Sequence, residues 1–385
     1  MIVEQNIERL NYLLNLYRLS ADELLKLINA GLKKPLTQTD IFKKEISLSY
    51  LRRVDKVFNK GLHFYLNPKH PEIHQDASIF FRKPVFGTDL NIGAKKIVNR
   101  FEEYKIELSA IAKLAKLKTE RILPVFGIYQ NPQEVANRLR TDLYPDFHPA
   151  PKAFLNALIG KLANYNILVF EFVETWNKKE KANIDGFFLN PNVIVLKRQQ
   201  TSFRREIFTL IHELGHYLLK EEEVEQLNVL NLASSKLSAI EKWCNDFAYY
   251  FLAGSFDKVI EDIDNADSTN DYCLDKIEQI SKETHLSEIA LLTRLLFRKK
   301  ISQANYNKIK AAKDEEYRSR QEAVTKQKEA DKLEGIKTGG STPKPIISPL
   351  LVSTIQSAFY EGIINEYDFC KALNISPDKM EKYIQ

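Results

Sequence analysis

Apolar residues return every three or four positions over most of the chain, the period of amphipathic helices, and cluster as strand-like runs only in a short central stretch. Residues 2–66 carry the helical period, broken near "GLKKPLTQTD", with Ser20 placed to cap a helix opening "ADELLKLI". After the proline-containing turn "NPKHPEIH" (67–74), the pattern predicts one long helix over 91–120 and two more in "NPQEVANRLRTDL" and "PKAFLNALIGKLANYN". Strand signals concentrate at 167–174, 184–190 and 192–197, where β-branched and aromatic residues gather and Asn190 with Pro191 supplies a turn. They lead into the amphipathic stretch "FTLIHELGHYLL". Residues 238–253, "SAIEKWCNDFAYYFLA", predict a second buried helix stopped by Gly254, and "SEIALLTRLLF" predicts a third. From about Lys313 to Gly335 the chain is charged and poor in apolar residues, and with "KTGGSTPKP" it reads as a flexible tether to a helical recognition module over 348–385. No internal repeat is visible.

The expected fold class is therefore α+β, mostly helical, with a small sheet packed on the central helix. Five segments are expected: a helical, helix-turn-helix-like unit over 1–75, a helical connecting region over 76–150, the sheet-bearing domain over 151–300, a charged flexible linker over 301–347 and the helical module over 348–385.

The central helix carries the chemistry. Residues on an α-helix advance by about 100°, so His212 and His216 lie about 40° apart and can converge on one ion. Phe203, Ile207, Leu210, Ile211, Leu214 and Leu218 fall on the opposite arc, which buries the helix and obliges its imidazoles to find partners. With Glu213 the spacing reads as H-E-x-x-H, two zinc ligands and a general base. The competing reading is a chance match with both histidines satisfied by hydrogen bonds. The chain has seven histidines, and two standing at ligand spacing on such a helix favour the metal site. A catalytic zinc needs a third protein ligand and an open position. A third histidine at the extended spacing is excluded, because Leu219 and Glu222 occupy the positions where that pattern needs glycine and histidine. The carboxylates left open are Glu221, Glu222, Glu223 and Glu225 just downstream, and Glu241 on the next helix.

Composition narrows the setting. The 385 residues suffice for two or three domains, and 56 basic against 51 acidic residues make a densely charged surface that is not one-signed, so charge alone does not imply nucleic acid. Cys244, Cys273 and Cys370 are scattered without C-x-x-C spacing, which predicts a reducing cytoplasm. The stretch "MIVEQNIERLNYLLNLYRL" lacks the basic and apolar regions of an export signal, and nowhere do 18 apolar residues run together; the protein is expected to be neither exported nor membrane-associated.

"FTLIHELGHYLL" followed by "EKWCNDFAYYFLAG" resembles the ImmA/IrrE metallopeptidases, whose H-E-x-x-H helix precedes an E-x-x-A-N-x-F-A helix. Glu241, Asn245, Phe247 and Ala248 match, with Cys244 in place of the small alanine. "IDGFFLNPNVIVLK" and "SEIALLTRLLFRKKIS" are similar to the flanking family segments; "SYLRRVDKVFNKGLHFYLNPKHPE" with "FFRKP", and residues 348–383, resemble the ends of longer members. The resemblance implies a zincin-like fold with one Zn2+ per chain on His212, His216 and Glu241, and Glu213 as the catalytic acid. It also implies a cytoplasmic endopeptidase whose protein substrate is a helix-turn-helix repressor, in a stress, mobile-element or phage-defence response.

Two roles stay open. Asn245, one turn beyond Glu241, either orients a ligand or packs as a helix amide. "NVIVLK" is either an edge to which a peptide adds or an ordinary interior strand. The alternative function is a DNA-binding regulator or antitoxin-like protein with its zinc domain as sensor or scaffold. It rests on "SADELLKLINAG" with "SLSYLRRVDKVF" and on "NEYDFCKALNISPDKMEKYI", although "PLTQTDIFKKEISL" departs from a tight turn. The oligomeric state is not legible.

Overall fold

The computed structural model describes residues 1–71, 79, 90–174, 181–198, 203–222, 238–265, 273–334 and 343–384. Two compact units divide the chain, Met1–Ile106 with Glu180–Asn183, and Glu107–Lys179 with Ile184–Gln385.

In the first unit, β1 (Ile2–Glu4) and β2 (Glu45–Ser47) form an antiparallel ribbon with Val3 opposite Ile46. Strands of three residues are too short to show a period of two, and the sequence pattern misses them. Around the ribbon stand α1 (Ile7–Tyr17), α2 (Ala21–Asn29), α3 (Gln38–Ile41), α4 (Leu48–Phe58) and α5 (Leu62–Leu66), which bury Leu10, Leu13, Leu24, Leu51 and Val54. Ser20 caps α2 as expected: its hydroxyl accepts the Glu23 N–H, and the Glu23 carboxylate accepts the Ser20 N–H at 2.7 Å. Between α2 and α4, residues 30–47 hold α3 and β2 rather than a tight turn. The long helix predicted over 91–120 is α6 (Ile92–Leu114). It stops early because Lys116 turns left-handed, letting the Leu117 N–H reach back to the Ala112 carbonyl. The "FFRKP" stretch lies outside the described residues.

The second unit begins with α7 (Pro132–Leu143) and α8 (Pro151–Ala163), each with proline in its first turn, where no N–H partner is needed. Its sheet comprises β3 (Leu168–Phe172), β4 (Gly186–Leu189) and β5 (Val193–Lys197) in the order β3-β5-β4, β5 running parallel to β3 and antiparallel to β4. "NVIVLK" is thus the central strand: the reading of it as an edge for a peptide fails, and the interior-strand reading holds. On the sheet lies α9 (Phe203–Leu219), the H-E-x-x-H helix, and α10 (Ala239–Ala253) packs against α9 and α7. Phe154, Leu158, Phe188, Ile194, Ile211, Leu214, Phe247 and Phe251 fill the shared core. α10 ends at Gly254 as predicted; with φ of 52° and Arg140 Cζ only 2.7 Å from where a Cβ would stand, the position suits glycine. The Arg140 guanidinium donates to the Phe251 carbonyl and satisfies the end of the helix.

Beyond lie α11 (Phe256–Glu261), α12 (Leu274–Thr284), α13 (Glu288–Phe297), α14 (Gln303–Leu333), α15 (Pro349–Tyr360), α16 (Glu366–Leu373) and α17 (Glu381–Ile384). The stretch expected as a flexible linker is corrected by α14, which is continuous to Leu333. Its Ala, Glu, Lys, Gln and Arg are the strongest helix formers, Arg320–Glu316 and Gln327–Asp331 pair at one-turn spacing, and Tyr306 and Ile309 bury its first turns. The "GGST" part lies outside the described residues. The terminal helices pack in the same unit: α15 lies against α8, and the Ile346 N–H donates to the Glu171 carboxylate on β3 at 2.6 Å. No described helix is long and apolar enough to cross a membrane.

Candidate metal centre

The heart of α9 is buried, with His212, Glu213 and His216 at 2%, 4% and 1% exposure. Two close approaches place it. Gly186 on β4 lets the strand press on α9, since a Cβ there would lie 2.5 Å from Thr209 Cγ2 and 3.2 Å from Glu213 Cγ. Gly215 does the same for α10, where an added Cβ would meet Cys244 Sγ at 3.0 Å and Cys244 Cα at 3.2 Å. α10 opens with Ser238, whose hydroxyl accepts the Glu241 N–H, so that Glu241 stands in the first turn facing α9.

The outcome is a buried group of His212, His216 and Glu241. The two Nε2 atoms are 3.1 Å apart, Glu241 Oε2 is 3.2 Å from His212 Nε2, and Glu241 Oε1 is 3.1 Å from His216 Nε2. Of the carboxylates left open by spacing, Glu241 alone joins the histidines among the described residues. Glu222 is also buried but turns away, accepting the Asn190 N–H at 2.8 Å; Glu221 is not in the group. Glu223 and Glu225 lie outside the described residues. Asn245 is an orienting residue as well as a packed one: its Oδ1 is 3.0 Å from His212 Nδ1. Phe247 and Ala248 are plain core.

Charge follows from geometry. Burial pushes the Glu213 carboxyl up to about 7, against the pull of the two histidines. Burial acts on Glu241 too, but there the adjacent imidazoles outweigh it and hold the carboxyl well below the usual range. For His216 burial works to lower the pKa and is overcome by Cys244, Glu241 and Glu213, leaving it well above its ordinary value. Burial raises the Cys244 thiol.

The donor set fits a divalent cation. Ligands at about 2.0–2.2 Å in tetrahedral array stand about 3.3–3.5 Å from one another, close to the separations here. Glu241 Oε1 lies near His216 Nε2 yet out of line for a hydrogen bond, and Glu213 Oε2 is buried without a partner. Two imidazole nitrogens 3.1 Å apart and a carboxylate whose Oε1 is left without an aligned hydrogen bond are arranged for a shared ion. The sequence reading overlooked Gly186, Gly215 and Ser238; the glycines' signal was their place in otherwise bulky strand and helix patterns.

Residues 164–295 match the family model of the IrrE N-terminal-like domain, a metallopeptidase family. The matched span runs from just before β3 into α13 and contains every residue of the centre, which lies on an α+β core. No curated protein and no solved structure matches the chain.

Proposed function

We propose that the protein is a zinc-dependent endopeptidase that cuts a regulatory protein, a helix-turn-helix repressor, in a stress, mobile-element or phage-defence response in the cytoplasm. The observation that carries the catalytic part is the buried convergence of His212, His216 and Glu241 with Glu213 beside it, whose buried Oε2 has no hydrogen-bond partner. The family match supports the hydrolytic class; the substrate and setting rest on the resemblance of the chain to ImmA/IrrE peptidases. His212 and His216 would hold zinc through Nε2 and Glu241 through its carboxylate. Zinc so held would acidify water and polarise a peptide carbonyl.

The protein's own part is proton handling. Glu213 sits one helix position from His212, beside the converging Nε2 atoms rather than among them. Its Oε2 accepts the proton of the attacking water and returns it to the leaving amine nitrogen, a cycle that suits a carboxyl titrating near neutrality. Asn245 fixes the His212 ring so that Nε2 faces inward. Repressor recognition falls, in this reading, to elements outside the matched domain.

The test is metal analysis of the purified chain together with incubation against candidate repressors. About one zinc per chain and metal-dependent cleavage at a single peptide bond are expected. A His212→Ala chain that retains full zinc would overturn the assignment.

A further inference from the structure

Within the first unit, α2, α4 and α6 meet around a cavity of about 360 Å³, in the size range of small-molecule sites. Its walls are apolar: Leu27 and Ile28 come from the last turn of α2, Val57 from α4 and Ile92 from the first turn of α6. Ile28 is buried, but the other three are only half-buried, so apolar surface in the cavity stays open to water. Cations share the lining. Arg53 and Lys56 stand on the face of α4 that carries Val57, at one-turn spacing, while Leu51, Val54 and Phe58 go to the core. Lys96 lies one turn beyond Ile92 on α6.

No carboxylate lines the cavity among the described residues. The acids of the same helices are engaged elsewhere. Asp22 accepts from the Gln38 side-chain amide, Glu23 from the Ser20 N–H, and Asp55 from the Lys60 and Gly61 N–H groups. Glu102, the first acid of α6, accepts the Ile79 N–H. Arg53 and Lys56 make no hydrogen bond or ion pair with a described residue.

We propose that this cavity binds an amphipathic organic anion, one anionic group on an apolar body. The body displaces water from Leu27, Ile28, Val57 and Ile92, and the head group is held by Arg53 and Lys56, with Lys96 contributing from α6. Like charges one turn apart on a helix repel, and an anion between them turns that repulsion into attraction. The guanidinium adds paired donors that match the oxygens of a sulfonate, carboxylate or phosphate. A volume of about a dozen waters suits a small molecule. The site lies outside the matched domain and owes nothing to the metal centre.

The test titrates the full chain with anilinonaphthalenesulfonate, whose fluorescence rises on leaving water, with its uncharged relative phenylnaphthylamine, and with inorganic phosphate. The sulfonate should fill a single saturable site, and the uncharged probe should bind at least about tenfold more weakly, the loss expected when contacts to charged donors disappear. Phosphate, which lacks the apolar body, should compete only weakly. Arg53→Gln combined with Lys56→Gln should weaken the sulfonate at least about tenfold and leave the uncharged probe and the melting temperature unmoved. Val57→Asn should weaken both probes. A double variant that binds the sulfonate as tightly as wild type, or an uncharged probe that binds equally well, would overturn the proposal, since the basic side chains would then only cover apolar surface with their stems. Phosphate competing as strongly as the sulfonate would reduce the site to charge alone and overturn it as well. If the double variant does not fold, salt decides on the wild type: a sulfonate affinity that does not fall as salt rises sinks the proposal.

Discussion

Gly215→Ala separates the close approach of α9 and α10 from every other property of the centre. The added Cβ would stand 3.0 Å from Cys244 Sγ, 3.1 Å from its Cβ and 3.2 Å from its Cα, where relaxed carbon contacts lie at about 3.5–4.0 Å. Sulfur can rotate aside, but the Cα cannot, so the helices must part by about half an ångström. Overpacking of this kind costs about 1–3 kcal/mol. Alanine returns about 0.8–1 kcal/mol over glycine inside a helix. The net loss, about 1 kcal/mol, should lower the melting temperature by about 2–4 °C for a unit of this size. Metal binding suffers more. The histidines ride on α9 and Glu241 on α10, and ligand distances tolerate shifts of only about 0.2 Å, so parting the helices should weaken zinc affinity by at least about tenfold, or about 1.4 kcal/mol. The assay pairs thermal unfolding of the metal-free chain with chelator competition for zinc. A Gly215→Ala chain that melts higher by the alanine gain and binds zinc as tightly as wild type would refute the reasoning.

Glu213→Gln keeps the side chain's shape and should retain fold and metal while hydrolysis falls by about 10²–10⁴, measured as cleavage of an identified substrate; loss of metal instead would make Glu213 a ligand. Chelation should lower the melting temperature, since zinc at about a thousandfold over its dissociation constant adds about 4 kcal/mol of stability; an unchanged melt after complete metal removal would deny a buried site. A chain ended at residue 334 should unfold at lower temperature, because it uncovers the face of α8 under α15 and strips buried Glu171 of the Ile346 N–H, worth about 1–3 kcal/mol alone; unaltered stability would restore the tethered-module reading. His285 is buried between Phe147 and Phe154, with Nε2–H donating to the His148 carbonyl, and burial lowers its pKa. The unfolded chain therefore takes up a proton that the folded chain refuses, so stability is complete above about pH 6.5 and declines below it. His285→Asn, which tolerates the left-handed backbone at that position, should flatten the slope of melting temperature between about pH 5 and 7.

What could be read without coordinates was local. His212 and His216 share a face because four residues make about one helical turn, and Glu213 stands beside them for the same reason. Ser20 and Gly254 bound their helices through hydrogen bonds and backbone angles that reach only a few residues. Where local chemistry was judged by composition instead, it misled: the charged stretch after Lys313 lacks an apolar face yet is helical, since helix propensity and one-turn ion pairs need no core. The tertiary structure decided the rest. By spacing, Glu222 and Glu241 were both open as the third carboxylate, and both are buried; only packing turns Glu222 to the Asn190 N–H and brings Glu241 to the histidines. Val193–Lys197 is central because it pairs in parallel with a strand more than twenty residues earlier, a choice made by the whole core and not by its own residues. The approach of Gly215 to Cys244 likewise joins positions on two helices. Such contacts form only when the apolar faces of distant segments are buried together, a free energy summed over the unit that no short window of sequence contains.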